Sequence, residues 1–316
     1  MSTPKAARAV KSAPRLRVKT APKKPAKTAP RKSSKASPRT STAPGPRRGI
    51  LHEEQTQFQT IQLRRDANGL FLRLNGQPQV HSHEERKYHD CIATMPLLLA
   101  ANIRRVAILG GGDGLAARNI LEFPGVKQAT LVELDGGMIE LCSREPEWAA
   151  LNGGALVNPR LTVVVDDAIA WFLRHRGTFD VIIHDLEMTW TDQPDALTPD
   201  RVMEFFFATF AKLSPGGVWV LTVPDDTPPD LADGAFAANA AGLPHKTVAA
   251  YQRARSTAAK IRVLLKQFFG HVREWTIKFP ILGPHTTFYI SNAPLKKLQR
   301  EAPAQFLVRN PLKKLK

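Results

Sequence analysis

Short apolar runs alternate with stretches of helical periodicity through the middle of the chain. The apolar runs are Val106–Leu109, Gln128–Val132, Leu161–Val165, Phe179–Ile183 and Gly217–Val223. Runs of this kind are typical of strands covered on both faces of a sheet. Helical spacing lies between them, over Ala116–Glu122, Met138–Cys142, Ala168–Arg174 and Arg201–Leu213. The alternation predicts an α/β fold with a Rossmann-like, doubly wound sheet, whose ligand site lies at the carboxyl ends of the strands.

The flanking segments have different patterns. Gln57–Val80 alternates apolar and polar residues and is interrupted by two Asn-Gly pairs, which predicts a small antiparallel unit of two or three strands. The following stretch "EERKYHDCIATMPLLLA" has helical spacing, and "HVREWTIKFPILGPHTTFYISN" predicts a closing pair of strands. Asp225–Leu243 has no clear pattern.

Charge divides the chain into three parts, and the change of pattern after residue 88 divides the middle part again. Residues 1–50 contain 15 Lys or Arg and no acidic residue, residues 295–316 contain seven Lys or Arg against one acid, and residues 51–294 carry 23 basic and 27 acidic side chains. We therefore expect a disordered basic tail (1–50), a small β domain (51–88), a Rossmann-like domain (89–294) and a basic C-terminal tail (295–316). The N-terminal tail is suited to nonspecific binding of nucleic acid or another polyanion.

The chain has only two cysteines, Cys91 and Cys142, and their spacing matches neither a disulfide framework nor a metal site. No run approaches the length of a membrane span, and the N-terminus lacks the apolar region of a signal peptide. We expect a cytoplasmic protein without membrane association. His81, His83 and His89 lack the pattern of a metal site, and we expect no metal.

Glycines and carboxylates follow four successive predicted strands. The loop "GGGDG" follows the first and includes Gly110, Gly112 and Asp113, and Glu133, Asp167 and Asp185 close the next three. Helix capping is the alternative explanation for Asp166 and Asp167, and is less apt for Asp185. The loop contains no Lys, Arg, Ser or Thr to bind phosphate, so the acidic crevice favours a cationic ligand such as a sulfonium nucleoside or an amine.

Seven segments in this order resemble the spermidine synthases, the polyamine aminopropyltransferases. They are "FQTIQL", "LNGQPQ", "EERKYHD", "ILGGGDGLAARNIL", "LVELDGGM", "LNGGALVNPRLTVVVDDAIAWF" and "FDVIIHDLEM". The resemblance implies the fold of S-adenosylmethionine-dependent transferases preceded by a small antiparallel β domain. It also implies transfer of an aminopropyl group from decarboxylated S-adenosylmethionine, a co-substrate rather than a tightly bound cofactor, to a di- or polyamine with release of methylthioadenosine.

The resemblance also implies roles for individual residues. Glu133 holds the ribose, Asp167 and Ala168 contact the adenine, and Gln59 and His89 contact the nucleoside or the amine. Tyr88, Asp113 and Asp185 line the amine channel, with Asp185 as the general base. A carboxylate is suited to that role because an aliphatic amine must lose a proton before it becomes a nucleophile. The family's small β domain also commonly forms homodimers.

The chain departs from the family pattern after Asp185. A second acid usually follows three residues later, and this chain has Met188 there, with Glu187 beside it and Trp190 close by. Two alternatives therefore stay open: a methyltransferase that uses intact S-adenosylmethionine, and a non-catalytic synthase-like module tethered to polyanions by its basic arm.

Overall fold

The computed structural model describes residues 48–186, 199–225, 244–295, 297–304 and 306, without side chains for 199–202. These residues lie in one compact unit that begins at Pro46. Most of the predicted N-terminal tail lies outside the described residues, as do Glu187, Met188, Trp190 and almost all of Asp225–Leu243. In the part of the chain that the structure describes, no helix is long and apolar enough to cross a membrane.

The N-terminal part is an antiparallel sheet of four strands in the order β1-β2-β3-β4. The strands are β1 (Gly49–Gln55), β2 (Thr60–Arg65), β3 (Leu70–Leu74) and β4 (Gln77–His81). The prediction of two or three strands for Gln57–Val80 is confirmed by β2, β3 and β4, whereas β1 precedes that stretch and was not predicted. The second Asn-Gly pair forms the β3–β4 turn, in which Asn75 (φ 49°) and Gly76 (φ 77°) are both left-handed, as a two-residue hairpin turn requires.

A helical segment connects the two sheets. It comprises α1 (Glu85–His89), a π-helical turn (Asp90–Thr94) and α2 (Met95–Leu99). Pro96 explains the wide turn, because proline has no N–H and its ring clashes with the carbonyl four residues earlier, that of Ile92. The segment places Tyr88 and His89 at one end and the fully buried Met95, Leu97 and Leu98 at the other.

The larger sheet has seven strands in the order β10-β11-β9-β8-β5-β6-β7. Its strands are β5 (Arg105–Gly110), β6 (Gln128–Glu133), β7 (Leu161–Val165), β8 (Phe179–Asp185), β9 (Leu213–Pro224), β10 (His271–Phe279) and β11 (Gly283–Ser291). The five strands from β5 to β9 are parallel, and β11 and β10 complete the sheet in antiparallel orientation. The predicted α/β fold is confirmed, and β9 begins four residues earlier than expected.

Helices cover both faces of this sheet. They are α3 (Leu115–Leu121), α4 (Gly136–Arg144), α5 (Pro146–Leu151), α6 (Ala168–Arg174), α7 (Pro199–Ala211), α8 (His245–Arg253) and α9 (Thr257–Phe268). Along β5, Val106 and Ile108 join the core shared with the small sheet, whereas Ala107 and Leu109 join the opposite core. This division follows from the two-residue period of a strand and explains why β5 is apolar throughout.

The first part of the basic C-terminal segment packs against the end of α2. Leu295 is buried. The backbone N–H of Gln299 donates to the carbonyl of Leu98 at 2.7 Å, and the Arg300 guanidinium donates to the carbonyl of Ala100 at 2.9 Å. The segment therefore satisfies backbone acceptors at the end of that helix.

Candidate active site

The glycine loop crosses the point where the strand order reverses, between β5 and β8. Gly110 is in register with Asp185 on β8, and Gly110 and Gly111 have φ of 83° and 73°. A Cβ at Gly110 would overlap the carbonyl oxygen of Asp185, and one at Gly111 would lie 2.9 Å from its carboxylate. Glycine is therefore required for both backbone conformation and space, and the loop lies directly against Asp185.

Glu133 is fixed on the other side of the loop by two backbone donors. Its Oε2 accepts a hydrogen bond from the N–H of Gly112 at 3.0 Å, and its Oε1 accepts one from the N–H of Asp135 at 3.0 Å. Burial raises the pKa of Glu133, and the charge of Asp113 adds to the effect, although the two N–H donors oppose it. The carboxylate is thus held in one orientation at the end of β6.

Asp113 is a buried carboxylate at the start of α3. Its Oδ1 accepts a hydrogen bond from the N–H of Leu115 at 2.7 Å, and its backbone carbonyl accepts from Trp148 at 3.0 Å and Asn152 at 3.1 Å. Burial raises the pKa of Asp113, whereas the nearby charge of His89 lowers it. The loop residue is therefore anchored through its backbone to α5 and the turn that follows.

Asp185 is a carboxylate whose pKa lies close to neutral. Burial raises its pKa to about 7, and the charge of Asp113 adds to the rise, while His89 and a hydrogen bond from the Tyr88 hydroxyl oppose it. A carboxylate with this pKa exchanges a proton readily at neutral pH. The pKa of Tyr88 is raised well above its usual value by burial and by Asp185, so Tyr88 stays a hydrogen-bond donor.

His89 lies one residue after Tyr88 and is buried. The two rings are 5.2 Å apart and nearly perpendicular. Burial alone would lower the pKa of His89, but its hydrogen bond to Glu85 and the charges of Asp113, Glu85 and Asp185 raise it. The site thus combines three carboxylates with one imidazole that tends to be positively charged.

The part of the chain that carries these site residues matches a known protein family. The model of the spermine/spermidine synthase domain matches residues 85–226, which include Tyr88, the glycine loop, Glu133 and Asp185. The match covers less than half of the chain, and over these residues the chain is similar to the spermine/spermidine synthase family. The resemblance inferred from the seven segments is therefore confirmed.

Several aminopropyltransferases resemble the synthase domain in sequence. Polyamine aminopropyltransferase 2 of Ralstonia nicotianae is 40% identical over 136 residues, 43% of this chain and 27% of that protein. The Pectobacterium atrosepticum enzyme is 33% identical over 176 residues, 54% of this chain and 58% of that protein. The Bacillus subtilis enzyme is 34% identical over 172 residues, covering 54% and 59%. The chain thus spans between about a quarter and three fifths of these relatives.

Solved structures support the fold. Spermidine synthase from Thermotoga maritima superposes with a TM-score of 0.56 at 23% identity over 78% of this chain and 73% of that chain. A spermidine synthase in complex with the transition-state analogue AdoDATO gives a TM-score of 0.57 with the same identity and coverage. The α/β architecture with a small antiparallel sheet is therefore shared with these proteins.

Gln59 lies outside the matched residues, in the loop between β1 and β2, but its side chain reaches Asp135 within them. Its side-chain amide donates to Oδ2 of Asp135 at 2.9 Å, and the Thr56 hydroxyl donates to the same oxygen at 2.8 Å. The other oxygen of Asp135 caps α4 by accepting from the N–H of Gly137 at 3.0 Å. Asp135 was not identified from the sequence, and it connects Gln59 to the end of β6 beside Glu133.

Asp167 and Ala168 lie at the start of α6. The Asp167 side chain is the N-cap of this helix and accepts from the N–H of Ala170 at 2.9 Å, as in the capping alternative. Ala168 is buried, whereas the neighbouring Val165 and Leu134 are exposed apolar side chains, at 58% and 44%. Exposed apolar residues beside Glu133 form a surface suited to a flat base, and sequence reasoning did not identify them.

Two rings on the β10–β11 hairpin also lie outside the matched residues and face Tyr88. Phe279 is 5.8 Å and His285 is 5.9 Å from the Tyr88 ring, both in edge-to-face orientation. Glu84 holds the turn between those strands, because its carboxylate accepts from the backbone N–H groups of Ile281 and Leu282. The residues in these contacts are far apart along the chain, so no local sequence pattern predicted them.

The three histidines considered as metal ligands make different contacts. His81 contacts Asp66 at 3.4 Å on the small sheet, with His83 beside it, whereas His89 contacts Glu85. Among the described residues, no three His, Cys, Asp or Glu side chains form a group that could hold a metal ion. Cys91 and Cys142 are buried, free thiols with raised pKa values because burial disfavours the thiolate.

Proposed function

We propose that this protein is an aminopropyltransferase that uses decarboxylated S-adenosylmethionine as donor and a di- or polyamine as acceptor. The observation that carries the proposal is the grouping of Asp113, Glu133 and Asp185 around the glycine loop, within residues that match the synthase family. Such a crevice attracts ligands with ammonium or sulfonium groups and repels carboxylates and phosphates.

In the proposed reaction the acceptor ammonium gives one proton to ionised Asp185. The resulting amine nitrogen attacks the donor's aminopropyl carbon attached to sulfur, so the C–N bond forms while the C–S bond breaks. The sulfur keeps the electron pair and leaves as the neutral thioether methylthioadenosine. Tyr88 holds Asp185 by a hydrogen bond, and a pKa of about 7 lets Asp185 accept a proton at neutral pH and release it afterwards.

The donor binds, in this proposal, to the groups that are held in fixed positions in the crevice. Glu133 accepts hydrogen bonds from the ribose hydroxyls, and Asp167 and Ala168 contact the adenine. Gln59 and His89 contact the nucleoside or the amine, and Asp113 binds the donor's ammonium. Because Gly110 and Gly112 have no side chain, the backbone of the loop can approach the donor closely.

Intact S-adenosylmethionine as a methyl donor is the alternative that this arrangement disfavours. Its methionine carboxylate would lie near Asp113, a buried acid, and like charges at close range repel. No described contact favours methyl transfer. The two activities are therefore distinguished by the charge that the donor carries beside the loop.

Calorimetry with the purified protein tests the proposal. We expect methylthioadenosine and decarboxylated S-adenosylmethionine to bind, and the decarboxylated donor to bind at least about tenfold more tightly than the intact one, about 1.4 kcal/mol. Glu133→Ala should weaken binding about tenfold or more through loss of charge-assisted hydrogen bonds, and Glu133→Gln should restore part of it. Asp185→Asn should bind the donor but abolish turnover of amines.

Other results would redirect the proposal. Tighter binding of intact S-adenosylmethionine would indicate a methyltransferase. Failure of all three nucleosides to bind would favour the non-catalytic module.

We further propose that the basic arm binds polyanions without sequence preference, from its 15 Lys or Arg and no acids in residues 1–50. A chain starting at Gly49 should lose the steep salt dependence of binding to a random DNA duplex and keep donor binding. A cytoplasmic location and a homodimer through the small sheet complete the proposal. Loss of donor binding in the shortened chain would contradict the assignment of the arm as an accessory.

A further inference from the structure

An ion pair with little solvent exposure joins α3 to α1 beside His89 and was not identified from the sequence. Both terminal nitrogens of Arg118 on α3 donate hydrogen bonds to the carboxylate of Glu85 on α1, at 2.9 Å to Oε1 and 2.8 Å to Oε2. The guanidinium also donates to the carbonyl of Leu151 at 2.9 Å and to Asn119 at 2.9 and 3.1 Å. Such a paired fork fixes the carboxylate in position as well as in charge.

Glu85 in turn determines which nitrogen of His89 carries a hydrogen. Nδ1 of His89 lies 2.7 Å from the backbone carbonyl of Glu85 and 3.2 Å from its carboxylate. Burial would raise the pKa of Glu85, but the hydrogen bonds from His89 and Arg118 lower it to about 2, so the side chain is ionised. Both groups near Nδ1 can only accept, so Nδ1 keeps its hydrogen in the neutral and the charged ring. The titrating atom is therefore Nε2.

Titratable and charged groups from several elements surround His89. They are Glu85 and Tyr88 on its own helix, Asp113 on the glycine loop, Asp185 on β8 and Arg118 on α3. The charge of Asp113 raises the pKa of Asp185, and His89 lowers the pKa of both carboxylates. The crevice contains three carboxylates, so a positive charge at His89 offsets part of their mutual repulsion.

We propose that Glu85, held by Arg118, is a positioning residue that fixes His89 with a hydrogen on Nδ1 and a titrating Nε2. His89 in its charged form then keeps Asp113 and Asp185 ionised together. The first part stands on the contacts alone, and the second part rests on the proposed function, because it concerns how Asp185 becomes available as a base.

A neighbouring ion pair provides a matched control. Arg86 on the same helix α1 donates to both oxygens of Glu122, which follows α3, at 2.7 and 2.8 Å. This pair also joins α1 to the α3 region, but neither partner makes a described contact with His89. Glu122→Gln therefore removes a comparable ion pair between the same parts of the fold without altering the partner of His89.

Nitrogen-15 NMR of the histidine rings tests the first part without any need for turnover. The nine histidines are labelled, and the His89 signals are identified as those that disappear in His89→Gln. We expect the neutral ring to carry its hydrogen on Nδ1 and to titrate above the ordinary value of about 6.5. Glu85→Gln should lower this pKa by about one unit or more, whereas Glu122→Gln should leave it unchanged.

A second variant separates charge from folding. Glu85→Asp keeps the negative charge on a shorter side chain, so the pKa of His89 should remain above that in Glu85→Gln. If Glu85→Gln does not fold, the tautomer of His89 in the wild type and its pKa in Glu85→Asp still test the proposal. A neutral wild-type ring with its hydrogen on Nε2, or the same His89 pKa in the wild type and Glu85→Gln, would overturn the proposal.

The second part is tested by the pH dependence of kcat/KM once an acceptor has been found. With His89 neutral, Asp185 holds its proton to a higher pH, so the acid limb should move to higher pH in Glu85→Gln and stay in place in Glu122→Gln. An acid limb that stays in place in both variants would overturn this part. If no amine is turned over, the aminopropyltransferase proposal fails and this second part with it, whereas the NMR result still decides the first.

Discussion

Replacing Asp185 with asparagine should stabilise the folded protein at pH 8 even though it removes the proposed base. In the wild type, Asp185 is ionised at pH 8 although burial and the charge of Asp113 favour its protonated form. Asparagine has nearly the same shape and can still accept from Tyr88, but it carries no charge. The gain should therefore come from relief of a buried charge rather than from a new contact.

The size of the effect follows from the two protonation equilibria. The pKa of Asp185 is about 7 in the folded state against an ordinary value of 3.8, and each unit corresponds to about 1.36 kcal/mol, so the full cost above pH 7 is about 4 kcal/mol. Asp185 is only partly buried, and solvent screens part of this cost. We therefore expect Asp185→Asn to be about 2 kcal/mol more stable at pH 8.

The stability advantage of Asp185→Asn should become smaller as the pH falls. Because the folded-state pKa is raised, the wild-type group contributes its full stability below pH 3.8 and loses it as the pH rises through about 7. At pH 5 most of the folded molecules already hold the proton. The advantage of Asp185→Asn should thus shrink to less than about 1 kcal/mol at pH 5.

Urea unfolding of both proteins at pH 5 and pH 8 measures this difference as the free energy of unfolding at unchanged slope. Asp167→Asn is the matched control, because it also removes a carboxylate at a strand end and asparagine caps a helix equally well. Its stability should stay within about 0.5 kcal/mol of the wild type at both pH values. If Asp185→Asn were less stable than the wild type at pH 8, or had the same advantage at pH 5 as at pH 8, the pKa of Asp185 would not be raised by folding.

Two further predictions concern stability. Gly110→Ala should destabilise the protein by more than about 3 kcal/mol, because a Cβ there meets backbone of Asp185, whereas Gly76→Ala, also left-handed but with open space, should cost only about 1–2 kcal/mol in urea unfolding. Burial lowers the pKa of His184 to about 3, so stability is lost as the pH falls below 6.5. Between pH 8 and pH 5 the wild type should lose about 2 kcal/mol relative to His184→Phe, and parallel curves would contradict this.

The parts of the fold that were predictable are those encoded locally. The strands β5 to β8 are short apolar runs, and β5 and β8 are buried along almost their whole length, so their positions followed from the local pattern. Strand β1 was missed because it is an edge strand, and its "GILHEEQ" sequence has several exposed residues and no clean alternation. The π-helical turn was also missed, although Pro96 inside a helical pattern is a signal for such an irregularity.

In the candidate site, too, some residues could be predicted from local sequence and others could not. Asp113, Glu133 and Asp185 could be grouped in advance, because the carboxyl ends of parallel strands meet at one edge of a sheet. Phe279 and His285 could not, since their contact with Tyr88 depends on the return of a distant hairpin. The pair Glu85 and His89 has helical i, i+4 spacing, which was a readable signal.

The π-helical turn Asp90–Thr94 has a consequence for how this segment tolerates insertions and deletions. Each residue of an α-helix advances the side chains by about 100°, and a π turn contains one residue more than an α turn. The turn therefore offsets the face of α1 that carries His89 from the face of α2 that fills the core. Loss of one residue between positions 90 and 94 would restore a regular helix, but it would rotate His89 away from the crevice or Met95 away from the core. The number of residues in this turn thus sets the rotation of His89 about the helix axis relative to Met95 in the core.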